Sequence, residues 1–146
     1  MSDWVLLLGG STGHGAATAK RLAKEGYGII AFHFDRGDAK KIAEETISEV
    51  KAITNDRCYY FNTNAASEET MDKYMPQIKE ITSGNSIKLL LHSIAFGTTT
   101  NFFGEKPVTQ RQMDMTVHVM GNSLLYWTQK LYHEKLLGKG SRVIGL

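Results

Sequence analysis

Two kinds of hydrophobic patterning take turns along this chain, and their alternation predicts its architecture. Trp4 to Leu8 is a short, uninterrupted apolar run closed by Gly9-Gly10. A run with no polar residue at alternate positions predicts a strand covered on both faces, as in a parallel sheet. From Gly13 to Lys24 the period lengthens to that of a helix: Ala16, Ala19 and Ala23 share one side, Lys20 and Arg21 are left to solvent, and Gly26 supplies the stop. Gly28 to Phe34 is a second apolar run, followed by the polar turn Asp35 to Asp38. A second helical stripe follows in Ala39, Ile42, Ala43, Ile47, Val50 and Ile53. Cys58 to Phe61 reads as a third strand. A helix from about Ser67, with that serine as its cap, carries Met71, Tyr74, Met75, Ile78 and Ile81, and Pro76 lies inside it.

Ile87 to Leu91 predicts a fourth strand, and Ala95 to Pro107, rich in Gly, Thr and Asn, predicts a loop. One long helix is expected from about Thr109 to Leu137, ended by Gly138 and Gly140, with Arg142 to Leu146 opening a fifth strand. In that helix Met113, Val117, Met120, Leu124 and Leu131 form the stripe expected to cover the sheet. Met115, Val119 and Tyr126 fall outside it and call for another partner. Strands alternating with helices imply right-handed crossovers and a Rossmann-type, doubly wound parallel α/β sheet with helices on both faces, truncated after its fifth strand. No linker or repeat divides residues 1–146, so one domain is expected.

Composition narrows the function classes. With 42% hydrophobic and 22% charged residues the chain is an ordinary globular one, and a net charge of +2 argues against a nucleic-acid partner. Cys58 is the only cysteine, so an internal disulfide is excluded. The five histidines (His14, His33, His92, His118, His133) show no zinc-like spacing, and no metal site is expected. The short lead Met1 to Asp3 and the five-residue run after it match neither a signal peptide nor a membrane span, which makes a reducing, cytoplasmic setting the default.

The chemistry begins at Gly9-Gly10-Ser11-Thr12-Gly13-His14-Gly15. A turn between the first strand and a helix is where a doubly wound sheet holds dinucleotide phosphates, because glycines let the backbone approach and the helix start offers free N–H groups. Ser11 and Thr12 add hydroxyl donors. No Gly-Lys-Ser/Thr follows, so an ATPase reading has no support. A flavin-binding or phospho-accepting domain would need an acidic cluster at the first strand end, and none is there.

The spacing Gly9, Gly13, Gly15 resembles that of the short-chain dehydrogenase/reductase family. Asn64-Ala65 falls where the family has an Asp and an apolar residue beside the adenine. His92-Ser93-Ile94-Ala95 falls where most members carry Asn-Asn-Ala-Gly. A His-Ser-Ile tetrad followed by Phe, here Phe96, resembles the enoyl-acyl-carrier-protein reductase branch, although that branch usually has a longer glycine turn. The resemblance implies an NAD(P)H-dependent reductase of an enoyl thioester or a carbonyl, with Gly9, Ser11, Thr12, Gly13, His14, Gly15, His33, Arg36, Asn64, Ala65, His92, Ser93, Ile94 and Ala95 around the cofactor. It also implies that the catalytic Tyr and Lys follow the fifth strand, so no catalytic residue is assigned within these residues. Tyr132 and Lys135 have the family's spacing but precede that strand, and read as helix surface.

His33 occupies the position where an acidic residue would bind the adenosine ribose 2′-OH. With Arg36 nearby, this favours NADP(H) over NAD(H), unless Asp35 turns inward and takes the ribose. His92 and Ser93 are expected to line the cofactor, with a histidine satisfied by its neighbours as the alternative. The helix near residues 109–137 builds a dimer interface in the resembled family, which implies a homo-dimer or homo-tetramer. A non-catalytic dinucleotide-binding or regulatory domain is the competing functional reading.

Overall fold

The computed structural model describes residues 3–146; Met1 and Ser2, part of the lead, lie outside the described residues. The five strands are β1 (Trp4–Leu8), β2 (Gly28–His33), β3 (Cys58–Asn62), β4 (Ile87–His92) and β5 (Arg142–Gly145). They form one parallel sheet in the order β3-β2-β1-β4-β5. The helices are α1 (Gly13–Lys24), α2 (Ala39–Thr54), α3 (Glu68–Ile81), α4 (Gln110–Val117) and α5 (Ser123–His133). This is the Rossmann-type α/β architecture that the alternating pattern predicts.

Each central strand feeds two cores at once, because successive side chains point to opposite faces. Trp4, Leu6 and Leu8 of β1 join Ile30 and Phe32 of β2 beneath Met71, Met75 and Ile78 of α3 and Trp127 and Leu131 of α5. Val5 and Leu7 join Ile29 and Ala31 beneath Ala19 and Ala23 of α1 and Val50 of α2. Every residue of β1 and β2 is buried, which is why neither run carries a polar alternate. The edge strands differ: β3 is only partly covered, and all four residues of β5 are exposed.

The long helix is not continuous. A five-residue π-helical turn, His118–Asn122, separates α4 from α5. The wider turn shifts the phase of everything after it, since each additional residue rotates a helix by about 100°. The residues that reach the sheet are therefore Val119, Ser123, Trp127 and Leu131, all buried. Met113, Val117 and Met120 of the expected stripe face outward, and α4 has no buried residue at all. Val119, expected outside the stripe, is inside. Helix α5 also stops early, at His133, before the Gly138 expected to end it, and Lys135 takes a left-handed conformation with φ 59°.

One smaller expectation also changes. Ser67 does precede α3, but its hydroxyl makes no capping bond, and Glu68 and Glu69 favour the helix start through their charge instead. Pro76 lies within α3, which is assigned as one unbroken helix.

Candidate dinucleotide site

The strand order reverses between β1 and β4. Connections from β1 run outward through β2 to β3, whereas β4 and β5 lie on its other side. A crevice opens at such a switch point, outside the carboxyl ends of the strands. The glycine turn after β1 and the tetrad after β4 both lie there, joined by Ser93 N–H donating to the Leu8 carbonyl at 2.7 Å.

Gly9 has φ +91°, and a Cβ there would stand 2.1 Å from the Ser93 carbonyl oxygen. A Cβ on Gly15 would stand 1.7 Å from the Gly9 carbonyl oxygen, so α1 can start this close to β1 only because residue 15 has no side chain. Gly13 (φ +53°) faces open space. Thr12 is the N-cap of α1 but its hydroxyl is not used as a cap, no acidic residue occupies the first turn, and the turn is solvent-facing at Thr12, Gly13 and His14. Open N–H groups at the positive end of a helix, beside a backbone bare enough for close approach, suit a pyrophosphate.

The other predicted contacts are placed differently. Ser11 is buried, and its hydroxyl donates to Asp35 Oδ2 at 2.5 Å, so it is not a free donor at the turn. His33 is buried too, with Nδ1 2.8 Å from the same carboxylate oxygen and its ring edge-on to Tyr60. Asp35 is thus the residue that turns inward. Asn62 holds it there, accepting from the Asp35 N–H and donating to the Asp35 carbonyl, both at 3.1 Å. Arg36 is exposed and stacks its guanidinium over Phe34, 4.6 Å from the ring centre. Asn64 folds its side chain onto the Ala66 N–H, and Ala65 is buried in the core beneath α5.

His92 does not line the crevice. It is 1% exposed, and its Nε2 lies 2.7 Å from Ser123 Oγ, which in turn donates to the Val119 carbonyl. With the serine proton committed to Val119, Nε2 carries the hydrogen of that contact. The histidine therefore pins the π turn to the end of β4, which is the satisfied-histidine alternative. Ser93 and Ile94 are half-buried and Ala95 exposed, so these three remain at the crevice.

Burial away from water holds the His92 imidazole below its ordinary 6.5, against the raising effect of its carbonyl partners. A lowered folded value means the unfolded chain takes the proton first. Stability is accordingly undiminished by this group above pH 6.5 and lost as pH falls from there toward the folded value, with a slope of at most about 1.4 kcal/mol per pH unit. Urea unfolding across that window should show the decline, and His92→Gln, whose amide can reach Ser123 without titrating, should flatten it.

Tyr132 is 70% exposed, and both it and Lys135 lie at the end of α5 that reaches the start of β4, where Ile87 N–H donates to the Leu136 carbonyl. That is the far end of the sheet from the crevice. A groove between α3 and α5 is lined by paired charges, Lys79 with Glu134 and Lys130 with Asp72. Among the described residues no cluster could hold a metal ion, and no helix is long and apolar enough to cross a membrane. Cys58 is half-buried, and burial raises its thiol pKa, as fits an inert structural residue.

Sheet order, glycine turn and open helix start together define a dinucleotide-binding α/β fold. The family profile for short chain dehydrogenase matches residues 3–145, and the chain belongs to that family. A short-chain dehydrogenase/reductase from Serratia marcescens superposes with a TM-score of 0.77 at 22% identity, covering 98% of this chain and 54% of that one. The Caenorhabditis elegans protein Sniffer, described as a carbonyl reductase, superposes with a TM-score of 0.70 at 19% identity, covering 91% of this chain and 53% of that one. The chain thus spans about half the length of these relatives, and at this identity the likeness concerns the fold. No curated protein matches in sequence.

Proposed function

We propose that residues 1–146 act as one dinucleotide-binding domain of an NAD(P)H-dependent reductase that reduces an enoyl thioester, with a carbonyl as the second substrate class. The observation that carries this reading is the switch point between β1 and β4, beside which lie the glycine-lined turn and the uncapped start of α1. The cofactor bound there would supply the hydride. The chain's own contribution is to hold the pyrophosphate at Gly13 to Gly15 and to set Ser93, Ile94 and Ala95 along the nicotinamide half. The enoyl preference rests on the His92 to Ala95 tetrad and Phe96. The family resemblance puts the acid–base Tyr and its Lys after the fifth strand, so hydride transfer is assigned to the whole protein. A non-catalytic role is not favoured by membership of an oxidoreductase family.

For the cofactor, the inward Asp35 supports NAD(H), in place of the NADP(H) expected from His33 and Arg36. Its Oδ2 is engaged by Ser11 and His33, which leaves Oδ1 to accept from a ribose hydroxyl, and a carboxylate there repels a 2′-phosphate. Calorimetry should find NADH binding tighter than NADPH by about tenfold, the size of one charged hydrogen bond, with Asp35→Ala erasing the preference. Tighter binding of NADPH by the unmodified chain would overturn the assignment. A homo-dimer or homo-tetramer formed through α4 and α5 is supported by exposed Met113, Met115, Val117, Met120 and Leu125. A reducing, cytoplasmic setting fits the single thiol.

A further inference from the structure

The short loop between β3 and α3 is held from behind by two side chains of the π-turn region. Trp127 Nε1 donates to the Ala65 carbonyl at 2.7 Å, and His118 Nε2 lies 2.9 Å from the Ala66 carbonyl. A carbonyl only accepts, so His118 presents an N–H. The loop's front is closed by its own residues: Asn64 Oδ1 accepts from the Ala66 N–H, and the Asn64 carbonyl accepts from the Ser67 N–H. Consecutive carbonyls fixed by two donors from another element leave the peptide planes of Ala65 and Ala66 no freedom to turn. Trp127 is fully buried and fills the core, so its hydrogen bond accompanies packing. His118 is half-buried, contributes little core, and is the first residue of the π turn. Ser123, which follows that turn directly, is fixed to His92 at the end of β4. The π turn and the residue that follows it are therefore anchored at two places along the carboxyl ends of the strands, to β4 through Ser123 and to the loop after β3 through His118.

We propose that His118 is a positioning residue for the adenine end of the dinucleotide site, acting through the Ala66 carbonyl to hold the Asn64–Ala66 loop in its binding conformation. The proposal rests on the dinucleotide reading above, which places this loop beside the adenine. An unwound helical turn is a frequent companion of functional sites because it redirects one side chain without breaking the helix, and here the redirected side chain is His118. The role asks only for an N–H at that point, so an amide of similar reach should replace the imidazole.

The test measures adenosine diphosphate ribose binding by calorimetry for the unmodified chain, His118→Leu and His118→Gln, with thermal unfolding and amide exchange of residues 64–67 on each. We expect His118→Leu to bind about five- to tenfold more weakly, as for one lost hydrogen bond, and to exchange those amides faster. His118→Gln should restore both. Equal affinity in the leucine variant, or an equal loss in both variants, overturns the positioning role while leaving the dinucleotide reading intact. Absence of binding by the unmodified chain overturns that reading and this one with it.

Discussion

Replacing Gly15 with alanine is expected to destabilise the chain by about 3 kcal/mol, at the upper end of overpacking costs, and to lower its thermal midpoint by about 10 °C. The new Cβ would stand 1.7 Å from the Gly9 carbonyl oxygen, which is backbone and cannot swing aside. Helix α1 must then move off β1, and its first-turn N–H groups leave the position proposed for the phosphates. Loss of dinucleotide binding should accompany the loss of stability. Gly13→Ala provides the contrast, because a Cβ there meets nothing within 4 Å and suffers only its φ of +53°, worth about 1–2 kcal/mol. Differential scanning fluorimetry of the two variants should rank Gly15→Ala well below Gly13→Ala. The reverse order would show that α1 does not pack on the turn as described.

Trp127→Ala is expected to cost about 5 kcal/mol, comparable to the whole stability of a marginal domain. Trp127 is fully buried, with its ring centre 5.1 Å from that of Phe32, which itself packs on Phe61 and Tyr74 at 5.2 and 5.3 Å. Truncation opens a cavity under the centre of the sheet and strips the Ala65 carbonyl of its donor. Trp127→Phe keeps most of the packing and loses the donor, so about 1–2 kcal/mol is expected of it. Urea denaturation of both variants measures the two contributions. Equal losses would mean that the hydrogen bond outweighs the ring.

The fold was legible because its signals are local. The unbroken run Trp4 to Leu8, closed by two glycines, suited a strand covered on both sides, and Gly26, at φ +89°, follows α1 where the pattern places the stop. The π turn was not legible, since a stripe read at constant period has no way to register a change of phase. Ser123 deepened the error by being polar at a sheet-facing position, where only its bonds to His92 and Val119 make burial tolerable.

The glycine turn was likewise readable as backbone, but not the fate of its side chains. Ser11 is committed to a carboxylate 24 residues away and His92 to a hydroxyl 31 residues away, pairings that no spacing rule reveals. Asp35 lies in an evident polar turn; that it faces inward depends on Asn62, on the neighbouring strand. Trp127 and His118 reach the loop after β3 across 62 and 52 residues. A tryptophan in a helix was a signal of core that could have drawn attention there, whereas His118 offered none.

The phase shift at His118–Asn122 divides the labour of one helical segment between two audiences. Downstream of it, Ser123, Trp127 and Leu131 answer to the sheet, while Leu125 and Tyr132 on the other side of α5 stay exposed. Upstream, Met113, Met115 and Val117 are exposed and α4 contributes no buried residue, so exchanges there are expected to disturb the interior little. The π turn thus works as a clutch, setting the exposed helix α4 and the sheet-facing residues of α5 in different phase along one continuous backbone.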